Sequence, residues 1–464
     1  MTGTMHAAEF DERTSAETRE LAAWAAATTY EDLPPRVVDI SKQLIFDHVG
    51  VAVGGMDHEA TLIALEVAQL LGGNGEATVL GHGVRTSSVN AALVNGVSSH
   101  VLDFDDTHIP TILHPTGPIM AAALALAPMY GATGRDVIRA HSVALEVSCR
   151  VSLALYPEHY DAGWHMSGTT GTIGAAVAAS LLAGVSPSQL VAALGIAATQ
   201  ASGQREQFGA MTKSLHVGKA GANGVLTGLL VARGFTAAPD SLQGRRGMFT
   251  VMSSDARADA LTAGLGREWE INRVGIKPYS CGVVAHPPID AVRRLKTERG
   301  IEPEQVERID LRVNPLVVEL TGKKEPRTGL EGKFSVAFCA AIAMIDGAAG
   351  PRQFTDEAVR RADVVVLRDR IHAEADPAVS HSQAVATAHL RNGSSVTVNV
   401  EAASGTPENP LSAADLRAKF DDLVEPKLGA NRCAELAGEL TRLEAHDRLD
   451  GLLEATVRQP HARP

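Results

Sequence analysis

The run His100-Val-Leu-Asp-Phe-Asp-Asp-Thr-His108, followed at once by Leu113-His-Pro-Thr-Gly117, sets three carboxylates and three imidazoles within fifteen residues. Its flanks are small and apolar: Asn90-Ala-Ala-Leu-Val-Asn-Gly96 before it, Pro118-Ile-Met-Ala-Ala-Ala-Leu-Ala-Leu-Ala127 after it. The flanks read as two closely packed, buried helices. Charge this dense between buried helices is costly unless it is hydrogen-bonded or used. The plain alternative is a solvated interhelical loop with an aspartate-rich cap. Asp103, Asp105 and Asp106 also have the composition of a Mg²⁺ site. No phosphate-cradling glycine loop accompanies them, and Gly72-Gly-Asn-Gly75 is only a turn. No metal is therefore expected.

Outward from this run, the pattern is helical from about Ser15 to Gly266. Leu33-Pro-Pro35 opens a long segment, with proline in the tolerated first turn. Thr133-Gly-Arg-Asp136 has capping-box spacing into Val137–Leu155. Further helices are expected over 169–183, 186–201 and 215–233. The texture changes near Trp269. Val306-Glu-Arg-Ile-Asp-Leu-Arg-Val313 alternates as a half-buried strand should. The runs 384–391 and 394–400, joined by Asn392-Gly393, predict a β-hairpin on a type I′ turn. Helices are expected near 287–299 and 333–345, and again after Ser404. The fold class is thus mainly α: a large all-helical domain built from 1–267 plus 404–464, with a smaller α+β lid domain inserted at 268–403.

Composition excludes several classes of function. The net charge of −12 leaves no basic stripe to neutralise nucleic-acid phosphates. An acidic protein that binds an acidic small molecule must gather its few cations locally, which draws attention to buried-looking lysines. The four cysteines are scattered without metal-ligand spacing, as in a reducing, cytoplasmic setting. The longest apolar stretches are shorter than a membrane span.

Three more segments carry candidate chemistry. Gly163-Trp-His165 stands at the mouth of a Gly/Ser/Thr-rich helix start, where backbone N–H groups can face an anion. Lys213, in Met211-Thr-Lys-Ser-Leu-His-Val-Gly218, opposes the dipole of the helix it opens, so it must reach solvent or meet an anion. Lys277 and His286 bracket a turn-rich segment at the domain junction, with Tyr279 between them. No Ser-His-Asp order, dinucleotide fingerprint or zinc-protease helix appears. Histidines, aspartates and lysines spread over separate segments suit proton transfer beside a carboxylate, with cations holding the substrate.

These segments, in this order, resemble the MmgE/PrpD family of 2-methylcitrate dehydratases, cis-aconitate decarboxylases and iminodisuccinate epimerases. The resemblance is carried by Asp105-Asp-Thr107…His114-Pro, Gly163-Trp-His165, Lys213-Ser-Leu-His-Val-Gly218, Gly234-Phe-Thr…Leu242-Gln-Gly, Lys277-Pro-Tyr-Ser-Cys281…His286-Pro and Ser335…Ile345-Asp-Gly347. It implies a helical domain with an inserted lid, a homodimer and no cofactor. It implies catalytic roles for His165, His114, Asp103 and Lys213, and substrate contacts for Thr107 and Lys277. His286 and Tyr279 join the substrate-binding set. His165 is favoured as the base, because its glycine-rich surroundings leave room for a substrate. The pattern departs from cis-aconitate decarboxylases at Gly282, where they carry a histidine, and at Phe338, where they carry a tyrosine. The leading expectation is a cofactor-independent hydro-lyase of the 2-methylcitrate dehydratase type, acting on a small di- or tricarboxylate. The alternatives are a dicarboxylate epimerase or isomerase, a decarboxylase of the cis-aconitate type, and a catalytically silent member of the family.

Overall fold

Small residues decide how the helices meet. The computed structural model describes residues 10–459. Its helical part centres on α1 (Pro35–Gly54), α2 (Ser88–His100), α3 (Thr116–Tyr130), α4 (Gly134–Leu155), α5 (Met166–Leu182) and α6 (Thr212–Val231). Helix α6 packs on α2, α3 and α5. A Cβ on Gly218 would stand 2.4 Å from the Leu93 carbonyl oxygen, and one on Gly96 would stand 2.6 Å from Gly218 Cα. The α2–α6 crossing therefore needs glycine on both helices. Helix α3 is buried on every side from Thr116 to Ala127, as its unbroken apolar sequence demands. Helix α4 starts on the predicted capping box, with Thr133 and Asp136 bonded reciprocally.

The second part is mixed. Short strands β1 (Thr107–His108) and β2 (Val274–Gly275) pair antiparallel, with Thr107 opposite Gly275. This pairing ties the charged loop to the segment that leads into Lys277. Beyond it lie α7 (His286–Thr297) and α8 (Val336–Asp346), with β3 (Val306–Val313), β4 (Ile371–Ala375), β5 (Ala384–Leu390) and β6 (Ser395–Val400). The sheet order is β4-β3-β5-β6; β3 and β4 run parallel and the other neighbours antiparallel. The parallel strand β4 has no counterpart in the sequence reading.

The hairpin forms, but its turn differs from expectation. Only Gly393 of the Asn392-Gly393 pair has a positive φ, at +84°. A type I′ turn needs both. Instead the Leu390 N–H donates to the Ser394 carbonyl across a three-residue loop. The Asn392 side chain accepts from the Ser394 N–H, so asparagine caps the loop rather than bending it.

The buried apolar residues form two large clusters. One runs from Leu21 to Val274 and takes in Phe420 to Ala455 from the C-terminal helices. The other is drawn from Tyr279 to Val400. Helix α9 (Ala413–Leu428) brings the chain back to the first cluster, where Phe420 packs so closely on α1 that a Cβ on Gly50 would stand 2.7 Å from its ring.

Candidate active site

The charged run is not a solvated loop. Asp103, Asp105, Asp106, His100, His108 and His114 are all buried. Among the described residues, the non-glycine positions with positive φ are Asp103 (+50°) and Ile112 (+56°), both in this run. A β-branched residue there is a true outlier, and such strain persists only where the surroundings impose it.

Asp103 is the centre of charge. Its carboxylate meets Lys213 Nζ at 3.1 Å and forms a very short contact with Lys277 Nζ, which also donates to the Asp103 carbonyl at 3.2 Å. Burial alone would raise the Asp103 carboxyl, but Lys213 and Lys277 overcome it and hold the group well below the usual carboxylate range. Burial also opposes the Lys277 ammonium, yet Asp103 and Asp105 keep it above the ordinary lysine value. Lys213 fares differently: burial brings it below the ordinary value, only partly offset by Asp103.

Hydrogen bonds fix the states of the imidazoles. His100 Nε2 lies 3.0 Å from Lys213 Nζ, which can only donate, so Nε2 accepts. The proton sits on His100 Nδ1, 2.7 Å from Asp105. His114 Nδ1 lies 2.8 Å from the Asp106 carbonyl, which can only accept, so Nδ1 carries the proton and the Nε2 lone pair is free. Thr107 Oγ1 sits behind the same Nδ1 at 3.1 Å. His165 Nδ1 shares one proton with His216 Nδ1 at 2.9 Å, and its buried Nε2 has no protein partner. Burial pushes both His114 and His165 well below 6.5, with Lys277 adding to the effect at His114 and Lys213 at His165. Both rings are neutral at pH 7.

Behind His114, Asp106 is pushed up to about 8 by burial, with Asp105 and Asp47 adding to it. It holds its proton at neutral pH and bonds Thr116 Oγ1 at 2.6 Å. Thr116 bonds His141 at 3.0 Å, and His141 bonds Ser41 at 2.8 Å. This buried chain locks the backbone carbonyl that sets the His114 tautomer.

A cavity of about 30 Å³ opens onto these groups. Asp103, His114, His165 and Lys213 line one side; Phe208, Val283, Val284, Leu320 and Phe334 make the other largely apolar. Phe208 and Phe334 stack at 5.5 Å, and Lys213 Nζ lies 5.5–5.6 Å from both ring centroids. The aromatic faces thus share the ammonium with Asp103.

The structure brings together Asp103, His114, His165, Lys213 and Lys277. Thr107 touches His114 and not the cavity. Tyr279 and His286 lie apart from the cluster. The Tyr279 hydroxyl contacts Asp290 and Arg293, and His286 packs edge-on to its ring at 5.3 Å. They line no part of this cavity; His286 lines a neighbouring one together with Lys277. Phe338 is also absent from the lining; it is buried in the second core against Phe354. Gly282 does line the cavity, with ordinary room for a Cβ.

Sequence reasoning assigned no role to His100, Asp105, His216, Tyr160, Phe208 or Phe334. His100 and Asp105 carry a local signal, since they lie five residues apart across the end of α2, and His216 lies in the Lys213–Gly218 motif. Tyr160, Phe208 and Phe334 have none.

Ring nitrogens of His100, His114 and His165 lie within 4.8 Å of one another, which is metal-ligand spacing. The electrostatics oppose a cation there. Lys213 occupies the His100 Nε2 lone pair, and two lysine ammoniums flank the group. No helix among the described residues is long and apolar enough to cross a membrane.

Sequence comparison adds independent findings. The MmgE/PrpD N-terminal domain matches residues 19–260 and the MmgE/PrpD C-terminal domain matches residues 279–443. The chain is similar to a cis-aconitate decarboxylase of Aspergillus terreus, 27% identical over 95% of this chain and 96% of that protein. It is similar to the human cis-aconitate decarboxylase at 28% identity, over 84% and 83% of the two chains. The mouse enzyme of the same name is 27% identical, over 83% and 82%.

Proposed function

The chain belongs to the MmgE/PrpD family, and from that premise we propose that it is a lyase acting on a small polycarboxylate by proton transfer at a carbon next to a carboxylate. The observation that carries this reading is a cavity lined by the Lys213 ammonium and two neutral imidazoles, with the Lys277 ammonium held behind it on Asp103. The lysines supply the anion clamp. The free Nε2 of His114 supplies a base whose lone pair is fixed by its Nδ1 bond. On space alone, His165 is the better base; on tautomer, His114 is. Where a C–H proton must be removed, as in dehydration, we assign abstraction to His114; proton delivery, which decarboxylation also needs, we assign to His165, which exchanges its proton with His216. A bound polycarboxylate adds negative charge beside both rings and raises their proton affinity. The imidazole that was neutral in the empty site can then carry the proton it must deliver.

Decarboxylation of a cis-aconitate-type acid is the first reading, supported by the relatives at 27–28% identity over more than four-fifths of their length. In that reaction the bond to one carboxylate breaks, CO₂ leaves, and an acid returns a proton to the carbon skeleton. Dehydration of a 2-methylcitrate-type hydroxy acid is the second reading. It is favoured by Gly282, which leaves the cavity without the imidazole that the resemblance implies for decarboxylases. No cofactor is needed for either.

A cavity of about 30 Å³ holds water and not a six-carbon acid. Apart from Phe208, its apolar side is furnished by Gly282–Val284, Leu320 and Phe334, all within 268–403. Substrate entry therefore requires that segment to move off the helical part, which is the lid role. A homodimer completes the proposal and is tested by light scattering.

The deciding experiment is NMR of the protein with cis-aconitate and with 2-methylcitrate in D₂O. Release of CO₂ with one deuterium on the product carbon supports decarboxylation. Loss of water from methylcitrate supports the hydro-lyase. Deuterium exchange without loss of either refutes the lyase reading. Ligand-induced stabilisation with no turnover of any acid marks a silent member of the family.

A further inference from the structure

The cavity contains a polar group that the acid-base chemistry does not use. Tyr160 sits in the short helix Glu158–Asp161, is 1% exposed and lines the same cavity as Asp103 and His165. Its hydroxyl has no hydrogen-bond partner in the protein. A buried hydroxyl left without a partner pays its full desolvation cost, and native proteins tolerate few of these. The other buried atoms at this cavity without a hydrogen-bond partner are His165 Nε2, which the proposed reaction employs, and Asp103 Oδ2, which is ion-paired with Lys213 at 3.1 Å. Burial holds the phenol well above its ordinary value, so the group is a donor throughout the physiological range.

The ring is held firmly. Arg205 lies 3.9 Å over its face, donates to the Tyr160 carbonyl at 2.8 Å and pairs with Glu319 at 2.6 Å. Lys213, Phe208, Leu320 and Val283 line the same cavity. A ligand that satisfies both polar groups carries an acid group at Lys213 and a second oxygen-bearing group at Tyr160, against a largely apolar wall.

We propose that Tyr160 is a specificity-determining residue of this site, donating its hydroxyl hydrogen bond to the substrate's second acid group. The proposal rests on the reading of the cavity as a carboxylate site. It selects polycarboxylates over monocarboxylates, because only the former carry a second acid group to the phenol.

The test uses the full-length protein, its Tyr160→Phe and Lys213→Met variants, and two probes: cis-aconitate and the monocarboxylate crotonate. Tyr160→Phe removes one unpartnered atom, so its ligand-free melting temperature should equal or exceed that of the wild type. Cis-aconitate should bind Tyr160→Phe at least about tenfold more weakly, since a hydrogen bond to a charged group is lost. Crotonate should bind both proteins alike. The chain has five tyrosines, so ¹³Cζ-tyrosine labelling with Tyr160→Phe as the assignment control reads the phenol directly. Its resonance should move with cis-aconitate and stay with crotonate. If cis-aconitate binds wild type and Tyr160→Phe equally, the Lys213→Met variant loses it and the resonance is still, the phenol serves only a buried water and the proposal falls while the carboxylate site stands. If neither probe binds the wild type, the carboxylate reading falls and the proposal with it.

Discussion

Replacing Asp103 with asparagine should destabilise this protein by about 3 kcal/mol at pH 7, and the loss should shrink as pH rises. Asparagine keeps the shape, one acceptor oxygen and tolerance for the positive φ of +50°. What it removes is the charge that Lys213 meets at 3.1 Å and Lys277 meets more closely still. Breaking a buried pair by removing one partner costs about 3–5 kcal/mol, because the remaining charge stays buried. Here two ammoniums remain, but the retained acceptor and the Phe208 and Phe334 faces hold the cost near the lower end of that range. The protein has one escape, which is release of the Lys213 proton. Burial already lowers that group, and loss of Asp103 lowers it further. Between its folded and unfolded titration points, the unfolded chain then binds more protons than the native one, so stability rises with pH across that window. The variant should recover toward wild type between pH 7 and pH 10. Hydrogen exchange of the α6 amides measures this without assuming two-state unfolding. Adding Lys213→Met to the variant should restore at least half of the loss, through the coupling of adjacent charges. A loss under about 1 kcal/mol at pH 7 would refute the reasoning, as would an equal loss at pH 7 and pH 10.

Four further outcomes are expected. His114→Ala should lower kcat on a verified substrate by roughly 10²–10⁴ with a smaller change in KM, whereas Thr107→Val, which only loosens the ring, should cost about tenfold; steady-state kinetics showing the reverse order would reassign the base. Because His114 and His165 are both held well below 6.5, the acid limb of kcat/KM should fall below pH 6.5; a limb at pH 7 or above would show that neither neutral ring is the essential base. EDTA should leave activity intact, while added Zn²⁺ should inhibit by competing with Lys213 for the imidazoles of His100, His114 and His165; loss with EDTA that Zn²⁺ restores would make the cluster a metal centre. Gly218→Ala should cost about 1–3 kcal/mol in urea unfolding, because its Cβ would lie 2.4 Å from the Leu93 carbonyl and backbone must move; a neutral substitution would mean that α2 and α6 are not tightly crossed.

What could be read from the sequence was what neighbouring residues decide among themselves. Thr133 and Asp136 close their capping box within one turn, so the start of α4 is legible. The alternation of Val306–Val313 and the hairpin after it are local too. The hairpin turn was misread because Asn392 has two ways to serve a turn, by adopting a positive φ or by accepting with its side chain, and the sequence does not say which. Strand β4 was missed because Ile371-His-Ala-Glu-Ala375 is short and its alternation rests largely on alanine, and because it joins the sheet as the parallel neighbour of β3, a pairing formed across some sixty residues.

The site divides along the same line, but more sharply. The residues that carry charge announce themselves, because a lysine or aspartate in an apolar run is conspicuous. What each one does depends on the partner of its other face. His114 is a base because a carbonyl accepts from its Nδ1. His100, with the same side chain and the same burial, is no base at all, because Lys213 has taken its Nε2 lone pair across 113 residues. Lys277 reaches Asp103 across 174 residues, while Tyr279, two positions on, turns to Asp290 instead. A motif therefore fixes which segments meet, and hydrogen-bond direction fixes what they do. Tyr160 is the limiting case. It belongs to no charged motif, and its only sign is a hydroxyl left without a partner beside a cavity. An unmet hydrogen bond is a property of the folded packing alone, so a residue of that kind can be found only after the helices have been put in place.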